Sequence, residues 1–132
     1  MVLSVSLSLP DDFETTFNDF KLKHKYDYII IHLNEDKSSL VVADKCDTSS
    51  REKTQIFEEM SEKVLNLDKS CFILFDNPFA WIKFIKEQED VKTKMLLASS
   101  FQSVRTRYNT GYFEAYGPSD MVYGTFINNR KS

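Results

Sequence analysis

Apolar and polar positions alternate along the chain in two rhythms, and the switches between them mark out the elements. Phe13, Phe17 and Phe20 recur at i, i+4 and i+7 behind Pro10 and the acids Asp11, Asp12 and Glu14, which predicts a helix from about Asp11 to Leu22. Tyr28 to Leu33 is a short, nearly unbroken apolar run of the kind found in a strand covered on both faces. A turn over Asn34 to Ser39 then leads to a returning strand, Leu40 to Ala43. Arg51 to Leu67 carries Ile56, Phe57, Met60, Val64 and Leu67 on one stripe, so it reads as an amphipathic helix capped by Ser49 or Ser50. Cys71 to Phe75 and Ala80 to Ile85 are two further buried strands, joined by the turn Asp76 to Phe79. The longest helix is expected from Glu87 or Gln88 to Tyr108, with Glu87, Glu89 and Asp90 in its first turn and Leu97, Phe101, Val104 and Tyr108 facing inward. Tyr112 to Tyr116 is a fifth strand. After the turn Gly117-Pro118, Ser119 is expected to cap a last short helix opening with Asp120. The order α β β α β β α β α, without strict alternation, predicts a mixed α+β fold with a sheet flanked by helices on both faces.

Composition narrows the function classes. At 132 residues and 15.4 kDa the chain has the size of one domain, expected to span 1–132. The three glycines, Gly111, Gly117 and Gly124, all lie near the C-terminal end, which excludes a glycine-rich phosphate loop. Seventeen basic residues against twenty acidic ones give a net charge of −3, which argues against a general nucleic-acid binder. No apolar run approaches the ~20 residues of a membrane span, and the first ten residues lack the basic flank of a signal peptide. Two cysteines, Cys46 and Cys71, without CxxC spacing read as reduced thiols of a cytosolic protein. His24 and His32 lie in no metal-ligand pattern, and no nucleophile–base arrangement is apparent, so neither a metal, a cofactor nor a catalytic role is expected. His32 reads as a hydrogen-bonded core histidine and His24 as a solvated residue at a helix end. Asp44 and Asp47 read as turn residues, and Trp81 as core.

The informative segment is Val91-Lys92-Thr93-Lys94-Met95-Leu96-Leu97-Ala98-Ser99-Ser100. Between Val91 and Phe113 stand four bases, Lys92, Lys94, Arg105 and Arg107, and no acid. On a helix Lys92, Met95 and Ser99 share one face, with Lys94 at its flank. Small side chains and an adaptable thioether between lysines make a narrow apolar ridge with a basic rim, suited to a partner's groove. On periodicity alone the alternative is a solvated face with Met95 in the core.

KTKMLLASS resembles the signature helix of the actin-depolymerising factor/cofilin family. Phe17-Asn18-Asp19-Phe20-Lys21-Leu22-Lys23 is similar to the end of that family's first helix, and Cys71-Phe72-Ile73-Leu74-Phe75-Asp76 to its strand ending in aromatic-Asp. The order of elements agrees over about residues 5–125. The resemblance implies a five-stranded mixed sheet between helix pairs, a cytoplasmic monomer acting on the cytoskeleton, and actin binding without catalysis. It places Lys92, Lys94 and Met95 against actin, with Ser99 and Ser100 on the same surface and Arg105 and Arg107 further along the helix. It also implies a mobile N-terminal segment, about 1–9, that joins the contact and carries a phosphorylatable serine, here Ser4 or Ser6, although the usual Ser-Gly pair is absent.

Other departures bear on partner choice. Leu97 stands where the family usually has tyrosine, and Phe101 where it usually has lysine. Members that decorate filament sides well carry a longer basic hairpin between the third and fourth strands, whereas here the connection is only about Asp76 to Phe79. The expectation is therefore a monomer binder that promotes filament turnover and binds filaments weakly, with phosphoinositides competing at the basic helix face. The alternative within the same fold is a glia maturation factor-like binder of actin-related proteins at filament branches, left open by Tyr112-Phe113-Glu114 and Ser119-Asp120-Met121.

Overall fold

Three strands of this chain are apolar at nearly every position, and strands of that kind need cover on both faces. The structure, a computed structural model, describes residues 9–76, 79–108 and 110–131 and shows how the cover is supplied. The elements are α1 (Phe13–Lys23), β1 (Tyr26–Leu33), β2 (Leu40–Asp47), α2 (Lys53–Leu67), β3 (Cys71–Phe75), β4 (Ala80–Phe84), α3 (Val91–Arg107), β5 (Gly111–Ala115) and α4 (Tyr123–Asn129). The strands form one sheet in the order β2-β1-β3-β4-β5. All neighbours are antiparallel except β4 and β5, which α3 joins as a parallel pair. This is the three-layer mixed α/β arrangement expected from the order of elements.

Side chains alternate across the sheet and so build two cores. On one face Ile29, Ile31, Phe72, Leu74 and Trp81 meet Phe13, Phe17 and Phe20 of α1 and Leu97, Phe101 and Val104 of α3. On the other, Tyr28, Ile30, Ile73, Phe75, Ile82 and Phe113 meet Ile56, Phe57, Met60 and Val64 of α2 and Phe126 of α4. Aromatic rings fill much of the space: Phe13 lies 5.2 Å from Tyr108 edge-on, and Phe57 stacks 5.4 Å from Phe126. Trp81 is fully buried, and its indole N–H donates to the Tyr108 carbonyl at 2.9 Å, tying β4 to the end of α3.

Several boundaries differ from the sequence-based expectation, each for a local reason. α1 starts at Phe13, after Asp12, whose side chain makes no capping bond. β2 runs on to Asp47, so Asp44 and Asp47 are strand residues rather than turn residues; Asp44 accepts a hydrogen bond from Lys63 of α2 at 2.9 Å. Neither Ser49 nor Ser50 caps α2, which begins after Glu52. Ser49 instead donates to the buried Asp27 carboxylate through its N–H at 3.1 Å and its hydroxyl at 2.8 Å. α3 begins at Val91, which leaves Glu87 and Glu89 ahead of the helix. Ser119 falls within a single 3-10 turn, Pro118–Asp120, and α4 follows only after Val122. His32 is half-buried rather than core, with Nδ1 2.7 Å from the Leu33 carbonyl. His24 is exposed at the end of α1, as expected, in a left-handed conformation at φ 49°. The free thiols also match expectation: Cys71 is buried and burial pushes it up to about 12, an inert position.

The outer edge of β5 is partly closed by the chain end. Tyr112 exchanges two backbone hydrogen bonds with Lys131, at 2.8 and 2.7 Å. Gly111 allows this approach, since a Cβ there would lie 2.9 Å from the Lys131 carbonyl oxygen.

The second core is tied to the surface through Glu59. Its carboxylate accepts from the buried Tyr28 hydroxyl at 2.6 Å, pairs with Arg51, and lies 3.7 Å from Lys63. The bonds from Arg51 and then Tyr28 hold its carboxyl at about 2. Because this value lies below the unfolded one, Glu59 adds stability above about pH 4.5 that fades as the pH falls towards 2. Glu59→Gln is expected to flatten the acid limb of the stability profile over that interval, as measured by urea unfolding at stepped pH.

Candidate functional site

The most exposed large apolar side chains on α3 stand at its N-terminal end. Asp90 caps the helix, its carboxylate accepting from the Thr93 N–H at 2.7 Å, and Lys94 N–H donates to the Asp90 carbonyl at 3.0 Å. The bonds from Thr93, with help from Lys37, hold the Asp90 carboxyl down to about 2, so the cap is charged throughout the physiological range. Asp90 was expected inside the first turn; as the cap it satisfies an orphan backbone N–H instead.

From this fixed start the helix turns Thr93, Leu97, Ser100, Phe101 and Val104 inward. The positions between them point outward. Met95 is 66% exposed, Lys92 and Lys94 are exposed, Ala98 is exposed and Ser99 is half-buried. Met95 is therefore not a core residue and stands on the outer face of the helix between Lys92 and Lys94. Ser100 departs from expectation: it is fully buried, because it lies one turn from Leu97 and Val104 on the inner stripe, and it does not share the outer surface with Ser99. Val91, 73% exposed, was not singled out in the sequence. It sits four residues before Met95 and extends the apolar ridge by one turn. The signal was available, since Val91 falls off the Leu97–Phe101–Val104 stripe.

The C-terminal bases of α3 are placed differently. The Arg105 guanidinium lies over the Tyr112 ring at 4.1 Å and is half-buried. Arg107 is exposed, 3.8 Å from Glu14 of α1 and 5.4 Å from the centre of the Tyr108 ring. Lys92, Lys94 and Met95 thus form one cluster, and Arg105 and Arg107 belong to another end of the helix. Ser4 and Ser6 lie outside the described residues. Among the described residues no group of three or more His, Cys, Asp or Glu side chains could hold a metal ion, and no helix is long and apolar enough to cross a membrane.

Comparison with known proteins gives this geometry a setting. A family model described as cofilin/tropomyosin-type actin-binding protein matches residues 6–129. A cofilin from Eremothecium gossypii is 25% identical, over 90% of this chain and 82% of that one. Among solved structures, a Streptomyces griseoflavus cofilin superimposes with a TM-score of 0.73 at 19% identity, covering 93% of this chain and 96% of that one. A glia maturation factor from Caenorhabditis elegans gives a TM-score of 0.69 at 16% identity, covering 97% and 98%.

The division of α3 into an inner and an outer face is directly measurable. Met95→Ala is expected to change unfolding free energy by less than about 0.5 kcal/mol, as for an exposed position. Leu97→Ala should cost about 2–5 kcal/mol through the cavity it leaves. Chemical denaturation of the two variants side by side checks both.

Proposed function

Since the chain belongs to the cofilin/tropomyosin-type actin-binding protein family, we propose that it binds actin monomers through the outer face of α3 and promotes filament turnover. The observation that carries this reading is the exposure of Met95, next to Val91 and between Lys92 and Lys94, on a helix whose other face is locked into the core. Such a ridge offers an apolar knob for a groove and positive charge for an acidic rim. Ser99 and Ala98 continue it with side chains small enough for close approach.

Binding to filament sides is proposed to be weak. β3 and β4 pair from Cys71↔Phe84 to Phe75↔Ala80, so only residues 76–79 connect them. Four residues cannot project far, since each spans at most ~3.6 Å. Phe79 packs back onto α1, 5.8 Å from Phe17 and 5.3 Å from Phe20. The nearest base in β4, Lys83, is committed inside the sheet to Glu114 at 3.3 Å. Phosphoinositides would compete at Lys92 and Lys94, the freer of the two basic clusters, and a phosphate on Ser4 or Ser6 would oppose an acidic partner. The segments that left a reading towards actin-related proteins open are largely occupied within the fold: Phe113 and Met121 are buried, and Asp120 accepts from the Tyr116 N–H at 2.9 Å.

Titration of labelled monomeric actin tests the central claim. Lys94→Ala with Met95→Ala is expected to weaken binding by a few kcal/mol, in the range of ~2–4 for buried anchors, with the thermal midpoint nearly unchanged. Unaltered affinity would refute the ridge as the contact. Co-sedimentation with polymerised actin in the same buffer should show little pelleting at concentrations that saturate the monomer. Stoichiometric pelleting there would refute weak filament binding. Ser6→Glu or Ser4→Glu should lower monomer affinity with an unchanged circular dichroism spectrum.

A further inference from the structure

We infer that Lys37 is a positioning residue for the ridge: from the β1–β2 turn it clasps the first turn of α3 and holds Val91, Lys92, Lys94 and Met95 in their docking orientation. This rests on the reading that the α3 ridge is the actin contact.

The turn that carries Lys37 is built stiffly. The Asn34 N–H donates to the Ser39 carbonyl at 2.9 Å, and the Lys37 N–H to the Asn34 carbonyl at 3.1 Å. The Asn34 side-chain oxygen accepts from the N–H groups of Ser38 and Ser39, at 2.9 and 3.2 Å. Within this frame Lys37 adopts φ 58°, a left-handed conformation that a residue with a Cβ rarely enters. Glycine or asparagine would fit the backbone better, so the strain points to a use for the side chain.

That use is visible at its other end. The Lys37 ammonium donates to the Thr93 hydroxyl oxygen at 2.8 Å and to the Asp90 carboxylate at 3.4 Å. Asp90 in turn accepts from the Thr93 N–H at 2.7 Å. Lysine, cap and first-turn threonine therefore close a triangle on the residues that bracket Val91 and Lys92. A cleft of about 170 Å³ beside this contact is lined by Asn34, Lys37, Ser70, Glu89 and Thr93 among others, with Lys37 and Thr93 both in its wall. On the far side of the cleft the Ser70 hydroxyl donates to Glu89 at 2.8 Å and accepts from the Lys86 N–H at 2.9 Å, which steadies the approach to α3. The helix start is thus held from both neighbouring loops, and Lys37 is the hold placed nearest the ridge.

The test uses the full chain with Lys37→Met, which keeps the stem and removes the ammonium, and Lys37→Arg as the conservative variant. Each is paired with Thr93→Val, which removes the acceptor. Hydrogen exchange at the Thr93 and Lys94 amides reports the clasp without actin, and titration of monomeric actin reports its consequence. Lys37→Met is expected to speed exchange at those amides and to weaken actin binding about three- to ten-fold, the range of one ordinary hydrogen bond. Lys37→Arg should recover most of both, and Thr93→Val should add little to Lys37→Met. Weakened binding with unchanged exchange, or with effects that add, would make Lys37 a direct contact and overturn the inference. Unchanged binding in a variant whose exchange has risen would overturn it as well. If the parent chain does not bind actin, the functional reading fails, and the exchange arm still decides whether the clasp exists.

Discussion

The structure depends on the double-sided burial of its middle strands. Every residue of β3, from Cys71 to Phe75, is fully buried, and β1 and β4 beside it are nearly so. A strand that is apolar on both faces cannot leave either face to water, and at about 25 cal/mol per Å² the loss of one helical layer would expose more apolar surface than a marginally stable domain tolerates. Two helices on each side follow from this, together with the crossover through α3 that sets β5 parallel to β4. Packing on the sheet also fixes which way each helix is turned.

That fixed rotation makes an outer face of α3 available. Leu97, Phe101 and Val104 are required below, so Met95, Lys92 and Lys94 are driven outward irrespective of their own preferences. Helix propensity would accept Met95 in either setting. Only the register with Phe72 and Trp81 on the sheet distinguishes them. The ridge is therefore a by-product of core packing, sharpened at its N-terminal end by the Asp90 cap.

Much of this was legible in the sequence because period and burial coincide there. The order of elements, the α1 phenylalanines and the inner stripe of α3 all follow from spacing, and the structure places them as spacing implies. The misread positions share a cause: a local reading gave way to tertiary context. Ser49 would serve as a helix cap in isolation, but the buried Asp27 carboxylate needs donors more than the start of α2 does. Asp44 and Asp47 look like turn residues because the pairing partners that extend β2, Ile30 and Tyr26, lie far away in the sequence. Ser100 reads as surface beside Ser99 until the helix rotation is known. Val91 and the reach of Lys37 depend on where α3 starts, and helix starts are the least determined feature of a periodic pattern.

The departures from the family pattern reshape the charge on α3 rather than its packing. Phe101, where lysine is usual, lies 5.1 Å from the Phe72 ring and is 4% exposed, so it adds to the core instead of to the basic rim. The bases of α3 are left in two groups, one around Lys94 and one around Arg105. Eleven residues at 1.5 Å each put these about 16 Å apart along the axis. That is roughly twice the ~8 Å screening length at physiological ionic strength, so the groups act on an approaching partner separately. Arg105 is already spread over the Tyr112 ring and Arg107 faces Glu14. The less encumbered positive charge of the helix therefore collects beside Val91 and Met95. On a chain with a net charge of −3, the exposed Lys92 and Lys94 give the outer face of α3 a local positive charge beside its apolar knob.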